Sequence, residues 1–265
     1  MKSYFIFFLL IVLTACETQV KTPFVETVYP TSKVLPENLL RMYVQFSQPM
    51  KTIDNIDKIK LIDEHGNEVK NVFFNNTQEL WNKEQTQLTL ILDPARVKTG
   101  LKANELLGHA VKPYKNYTLL IGDLEDVHHQ KMKTSFRKKI TIEKSDITIP
   151  KISDWKLTIP EIKSKDSFVV SFQQMLDYNS LKQRLVITDA KNNPIEGSIS
   201  IKNQETQWSF QPNEPWKSGS YILYVDTRLE DPSGNNLNGL FDHKIGSLKY
   251  SREGVLEKIP FTIKP

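Results

Sequence analysis

Asp123, Glu125, Asp126, His128 and His129 crowd into the stretch Gly122-Asp-Leu-Glu-Asp-Val-His-His-Gln-Lys-Met132. Carboxylates and imidazoles are the ligands of zinc and related divalent metals. Asp126, His128 and His129 are therefore the residues a metal centre, and a metal-dependent hydrolase, would draw on here. The spacing argues the other way, because neighbouring residues of a strand point to opposite faces. The alternative is a polar turn. The remaining histidines add nothing: His65 sits in a hairpin turn, His109 in an insertion and His243 near a loop. No Gly-x-Ser-x-Gly, Walker A, His-Glu-x-x-His or Rossmann glycine pattern occurs. The 10 glycines leave little for phosphate-cradling loops. With 31 acidic residues, some carboxylate pair always falls close, so proximity alone says nothing about glycosidase chemistry. Asp231-Pro-Ser-Gly-Asn-Asn236 has the outline of a calcium loop but lacks its alternating acids and distal glutamate. No catalytic residue, no resident metal and no cofactor is expected.

The elements that would carry such a site come from self-similarity. Met42-Tyr-Val-Gln-Phe-Ser-Gln-Pro-Met50 matches Phe168-Val-Val-Ser-Phe-Gln-Gln-Met-Leu176, with Phe46 and Phe172 126 residues apart. Asp63 and Asp189 keep the same separation, each in a strand–turn–strand pattern. Further on, Leu88–Pro94 matches Thr206–Pro212, Tyr117–Ile121 matches Tyr221–Val225, and Lys138–Ile142 matches Ile259–Ile263. Upstream, Val28-Tyr-Pro30 matches Thr158-Ile-Pro160. The first copy carries extra residues around Asn82–Gln85 and across Leu101–Asn116, where Asn104-Glu-Leu-Leu suits a short helix. Each copy reads as about seven short strands with period-2 alternation, which predicts an antiparallel β-sandwich. The expected fold class is all-β, with one unit over residues 24–147, including the insertion near 101–116, and a second over 148–265. The repeat also covers the opening stretch. Leu124-Glu-Asp126 matches Leu229-Glu-Asp231, so Asp126–Gln130 takes the place of the turn Asp231-Pro-Ser-Gly-Asn235.

The N-terminus is of another kind. One lysine precedes the apolar run Phe5–Leu13, then Thr14-Ala-Cys16. This is the layout of a secretory signal peptide, and the run is too short to span a bilayer. Leu13-Thr-Ala-Cys16 resembles the lipobox of bacterial lipoproteins. The resemblance implies a leader over residues 1–15, acylation of Cys16, and a tether over 16–23. Cys16 is the sole cysteine, so no internal disulfide can form. Three acyl chains, as in that family, exceed what stable membrane anchoring needs. Glu17 rather than Asp after the cysteine implies, by the same resemblance, the outer membrane, facing the periplasm or the surface.

The region Pro30-x-Ser32 through Val34-Leu-Pro36-Glu-Asn38 to Val44-Gln-Phe-Ser47-Gln-Pro-Met50 is similar to the start of bacterial Ig-like domains of the S-layer-protein type. The second copy keeps Phe172 and the hairpin but has Gln173-Gln-Met175 in place of Ser47-Gln-Pro49. It retains the turn Asp231-Pro-Ser-Gly-Asn235. The resemblance implies two tandem Ig-like sandwiches in a cell-envelope setting, and no reaction.

The formal charge is +4, one unit of which is Lys2 in the leader. The densest cationic stretch is Lys131, Lys133, Arg137, Lys138 and Lys139, read as lysines on an exposed strand that block edge pairing. No interleaved aromatics accompany it, so nucleic acid is not an expected partner. Of the four tryptophans, Trp208 is expected in the core and Trp216 as a cap. Trp81 and Trp155 are the two that could stack on a sugar. Asn75-Asn-Thr77 and Asn116-Tyr-Thr118 are chance matches to the glycosylation pattern. The expected function is a non-catalytic, lipid-anchored envelope protein acting as spacer, adhesion unit or binding module. Its partner would be an envelope protein or a glycan, with the 101–116 insertion as the partner surface. A carbohydrate-binding lipoprotein of a nutrient-uptake system is the alternative.

Overall fold

The computed structural model describes residues 21–52, 58–74, 80–243 and 254–265. It contains two β-sandwiches. In the first, one sheet runs β1 (Val25–Tyr29), β3 (Arg41–Phe46), β6 (Gln87–Ile91), β5 (Leu80–Trp81). The other runs β2 (Val34–Pro36), β8 (Phe136–Glu143), β7 (Asn116–Ile121), β4 (Ile59–Asp63). In the second, β9 (Lys156–Thr158), β10 (Phe168–Ser171), β13 (Gln207–Pro212) and β12 (Gly197–Lys202) form one sheet, in the order β12-β13-β10-β9. It faces β11 (Leu185–Asp189), β14 (Gly219–Asp226) and β15 (Leu256–Ile263). Pairing is antiparallel except between β2 and β8, which are parallel.

Period-2 patterning explains which residues go inside. In β7, Tyr117, Leu119 and Ile121 are buried while Asn116, Thr118 and Leu120 are not. Leu119 and Ile121 meet Val44, Phe46, Leu88 and Leu90 of the facing sheet in one core. Phe168, Val170, Trp208, Phe210, Leu223, Val225, Phe261 and Ile263 form the second core. Trp208 is fully buried there. Trp216 is 3% exposed and packs edge-on against Tyr221, its indole N–H donating to Asp166 O at 2.8 Å.

Strand register corrects two of the sequence matches. Tyr43 faces Thr89 as Val169 faces Ser209, so Leu88 stands where Trp208 does, not Thr206. The sequence match was two residues out, a slip that keeps every side chain on its own face and so leaves the hydrophobic pattern intact. Tyr29, not Val28, stands at the place of Thr158. The matches of Tyr117 with Tyr221 and of Lys138 with Ile259 agree with the observed register. Lys112 N–H donates to Tyr117 Oη as Lys217 N–H donates to Tyr221 Oη.

Short helices fill the connections. α1 (Pro94–Val97) precedes the insertion, and the insertion itself carries α2 (Lys102–Leu107). Asp93 caps α1 by accepting from Ala95 N–H at 2.9 Å. The buried guanidinium of Arg96 donates to the carbonyls of Asn71, Gly108 and His109 and pins the insertion to the sandwich. In the second sandwich α3 (Tyr178–Gln183) is capped by Asp177, whose Oδ1 accepts from Ser180 N–H at 2.8 Å.

Candidate functional site

The acid- and histidine-rich stretch is a turn, and the same turn occurs four times among the described residues. Asp126 Oδ1 accepts from the N–H of His128 and of Gln130, Asp126 N–H donates to Gln130 O, and His129 N–H donates to Asp126 O. The same four bonds recur at Asp63–Asn67, Asp189–Asn193 and Asp231–Asn235. The fourth position is left-handed each time: Gly66 at φ 87°, His129 at 61°, Asn192 at 66° and Gly234 at 79°. An aspartate side chain that mimics a backbone turn explains the residue choice at the first position. Glycine or asparagine is the easy choice at the fourth, and His129 fills it at some strain. Asp126 Oδ2 is taken by the Gln48 amide. His129 lies in solvent with Nδ1 3.6 Å from Glu125 Oε2, and His128 is exposed. Among the described residues, no group of three or more His, Cys, Asp or Glu could hold a metal ion.

The other sequence-derived candidates are scattered. Cys16 lies outside the described residues, as does Asn75. Trp81 and Trp155 are both half-buried and lie on different sandwiches. Trp81 tilts over Phe46 at 5.5 Å and Trp155 stands edge-on to Phe172 at 5.0 Å. They form no shared platform. Asp231, the first residue of the calcium-like segment, has both oxygens occupied by its own turn and by the Asn235 and Gln174 amides. The lysine stretch is only partly the solvated decoration expected of it. Lys138 turns inward, and its ammonium donates to the carbonyls of Val28 and Pro30. Burial pushes its pKa down to about 8, against the pull of Glu205.

What the structure brings together instead is a polar junction between the sandwiches. Thr31 donates its N–H and hydroxyl to the two carboxylate oxygens of Glu205, at 2.9 and 2.7 Å. Tyr43 Oη donates to Asp177 Oδ2 at 2.8 Å, and Arg41 pairs with Glu230 at 3.1 Å. Asn179 donates to Gln87 Oε1 at 2.8 Å, and the Tyr29 and Tyr178 rings stack. The Asp231 turn is pressed against the first sandwich. Leu40 N–H donates to Pro232 O, Ser233 Oγ to Asn38 Oδ1, and Asn235 Nδ2 to Asp146 O. A Cβ on Gly234 would come within 2.3 Å of Leu40 Cδ1 and 3.2 Å of Phe241 Cβ, so at φ 79° any larger residue must displace the buried Leu40 side chain. At the rim, Thr99 donates twice to Asp242.

Local sequence places these groups. Asp177 is at the junction because it caps α3, and Glu205 because it closes the β12–β13 turn at φ 59°. Asp177 stands where the first sandwich has Lys51: each donates its N–H to the carbonyl of the turn's glutamate, Glu230 or Glu125, at 2.9 Å. Burial raises the pKa of Asp177, Glu205 and Glu230, opposed by Arg41 at Asp177 and Glu230, and by Thr31 and Lys138 at Glu205. Asp231 is pushed up to about 8 by burial, with Asp146 adding to it. Its counterpart Asp126 goes the other way. Burial raises that group too, but the N–H groups of Gln130 and His128 and the Gln48 amide outweigh it and hold it below the ordinary range. A polar cavity of about 280 Å³ opens at the junction margin. Its arginines are already matched: Arg41 to Glu230, and Arg184 and Arg228 to Asp226.

Sequence reasoning missed the junction because its partners lie far apart in the chain and are ordinary surface types. One signal was present. The second copy of the turn is the more demanding one, Pro-Ser-Gly-Asn against Val-His-His-Gln, and that is the copy that must fit a neighbour.

No protein-family model matches the chain, and no curated protein matches it. Solved structures align with it at low identity. The N-terminal part of the bacterial S-layer protein SbsC is 12% identical with a TM-score of 0.33, over 92% of this chain and 45% of that one. The MG0-NIE-MG1 part of Escherichia coli alpha-2-macroglobulin is 12% identical with a TM-score of 0.30, over 92% of this chain and 72% of that one. The BSP domain of a biofilm-associated protein is 11% identical with a TM-score of 0.25, over 92% of this chain and 29% of that one. This chain thus spans less than half the length of the SbsC fragment, and scores of this size carry no argument about what it does.

Proposed function

We propose that the chain is a non-catalytic, lipid-anchored protein of the bacterial cell envelope. Cys16 carries the anchor, and the two sandwiches act as one stiff spacer that presents a binding surface away from the membrane. The observation that carries this reading is the junction. A cleft between two domains is where a substrate site is commonly built. Here the facing polar groups are bonded to one another through Thr31–Glu205, Tyr43–Asp177 and Arg41–Glu230. Inter-domain motion is the default for a chain of two units, and bonds of this kind, buried at Tyr43–Asp177 and part-buried at the other two, oppose it. The matching strand registers, and the matching places of the Asp126 and Asp231 turns, support a common origin of the two sandwiches by duplication. The lipobox-like Leu13-Thr-Ala-Cys16 supports the anchor, and Glu17 the outer membrane. No helix among the described residues is long and apolar enough to cross a membrane.

The insertion is the proposed partner surface. Leu106 and Leu107 of α2 are 71% and 59% exposed, while Arg96 fixes the loop beneath them, so apolar groups are shown on a rigid base. Two experiments test the reading. Metabolic labelling with a palmitate analogue should mark the chain in bacterial membranes, and Cys16→Ser should release it to the soluble fraction. Label-free chain that stays in the membrane after Cys16→Ser would remove the anchor from the account. Capture of envelope partners should fail for Leu106→Glu/Leu107→Glu with the fold intact; unchanged capture would move the partner surface elsewhere.

A further inference from the structure

A strand that completes the first sandwich has no counterpart among the described residues of the second. In the first, β2 lies parallel to the C-terminal half of β8, Val34–Pro36 against Thr141–Glu143. Thr141 N–H donates to Lys33 O at 2.7 Å, and Glu37 N–H to Glu143 O at 3.1 Å. Leu35, fully buried, fills the core edge beside Ile142. β15 stands at the place of β8. Phe261 faces Tyr221 as Ile140 faces Tyr117, so Thr262 corresponds to Thr141, Ile263 to Ile142 and Lys264 to Glu143. The sheet of the second sandwich ends at β15, and no described strand pairs with its outer edge.

The segment that follows β9 is diverted from that edge. Lys163 adopts φ 64°, its N–H donates to Trp216 O at 2.9 Å, and Trp216 N–H donates to Ser164 O at 2.9 Å. The segment is thereby tied to the loop before β14. Between it and β15 lies a groove of about 440 Å³, lined by Ile159, Pro160, Glu161, Ile162, Thr262, Lys264 and Pro265, so that Lys264 on the edge strand faces Glu161 on the diverted segment across the groove. Antiparallel ladders alternate, which fixes where the backbone groups of β15 point. Asp226 N–H bonds Arg184 O, so Asp226, Tyr224 and Ile222 turn toward β11, and Tyr221 and Gly219 toward Phe261 and Ile263 of β15. Pro260, Thr262 and Lys264 therefore direct their backbone groups outward. Pro260 has no N–H and blunts the edge upstream. The stretch open to pairing is the one that β2 covers in the first sandwich.

We propose that this edge accepts an extended segment of a partner protein as an added parallel strand, with an apolar residue against Ile263 and a carboxylate beside Lys264. The internal precedent sets the chemistry: Val34-Leu-Pro36-Glu37 shows which residue types fit the place. The charge sets the difference, because Lys264 stands where the first sandwich has Glu143, so an acidic residue after the apolar one is attracted here. Backbone pairing supplies affinity and the pocket for the apolar side chain supplies selectivity.

The test uses the full chain in detergent micelles and a fluorescent peptide with the sequence of residues Ser32–Asn38. Fluorescence anisotropy should show saturable binding. Thr262→Pro, which removes the outward N–H, should weaken it about tenfold, the weight of one backbone hydrogen bond. A peptide with glutamate in place of Pro36, the residue that pairs with the position of Lys264, should bind several-fold tighter; Lys264→Glu should abolish that gain, and lysine in place of Pro36 should restore it. Lys258→Glu, on the same strand upstream of Pro260, should leave binding unchanged. Circular dichroism checks that each variant is folded. Should Thr262→Pro not fold, the charge swap at Lys264 decides alone. Absence of saturable binding, or equal binding by all variants, overturns the proposal. A concentration-dependent dimer that these substitutions abolish overturns it too, by giving the edge to a second copy of this chain.

Discussion

The turn at Asp126–Gln130 lies at one end of the first sandwich with Asp126 buried and Val127 to Gln130, His128 and His129 among them, exposed. The turn at Asp231–Asn235 is held by the same bonds and lies buried against Asn38 and Leu40 of the first sandwich. The backbone solution is identical, so the sequences differ for reasons outside the turn. In solvent the left-handed position tolerates a histidine. Against a neighbour a Cβ there must displace Leu40. The pair separates what a turn needs from what an interface needs. The first is an aspartate and a residue that accepts positive φ. The second is the loss of Cβ and a set of short polar side chains, Ser233 and Asn235, that reach across.

Exchange at the fourth position gives the largest contrast. Gly234→Ala meets both the left-handed penalty and the contact with Leu40, and should cost about 2–4 kcal/mol in a denaturant titration. His129→Gly removes strain at an open site and should stabilise by less than about 1 kcal/mol. Equal effects at the two sites would end the distinction between them. Next comes the junction itself. Asp177→Ala removes the α3 cap and leaves Tyr43 Oη without its acceptor, so a loss of about 2–3 kcal/mol is expected, against under about 0.5 for Lys51→Ala at the matching place.

The carboxylates respond to pH in opposite senses. Asp231 keeps its proton in the folded state up to about pH 8, whereas the unfolded chain releases it near pH 4. The folded state binds more protons across that window, so this group makes stability fall as pH rises through it. Asp126, held below its ordinary range, contributes stability that is complete above the ordinary carboxylate pKa and is lost as pH falls through the lowered one. Denaturant midpoints measured between pH 5 and 8 should flatten in Asp231→Asn and keep their slope in Asp126→Asn. The smallest contrast is between the two turn glutamates. Glu125 faces Lys51, Lys131 and His129 near the surface, and Glu125→Gln should change stability by less than about 0.5 kcal/mol. Glu230→Gln leaves Arg41 without its ion-pair partner at the junction and should cost about 1 kcal/mol.

The sequence made the turns readable because their chemistry is local: an aspartate, then glycine or asparagine three residues on, between alternating strands. The core faces of β7 and β14 were readable for the same reason. Strand register was not, since a slip of two residues between Leu88–Pro94 and Thr206–Pro212 preserves the face of every side chain. Lys138 looked like one more surface lysine because its neighbours Arg137 and Lys139 are exposed. Its burial depends on β1 passing close enough to offer the Val28 and Pro30 carbonyls. The junction was hidden for a related reason. Thr31 and Glu205 are 174 residues apart, and nothing in either neighbourhood names the other.

The central claim is that the junction makes one rigid body of two sandwiches. Spin labels at Lys133→Cys and Lys191→Cys, exposed positions on opposite sandwiches, in a Cys16→Ser chain, give the distance distribution between them by electron–electron resonance. A single narrow distribution that broadens in Thr31→Ala/Tyr43→Phe is the predicted result. A broad distribution in the parent chain, or one indifferent to the loss of both bonds, would contradict it.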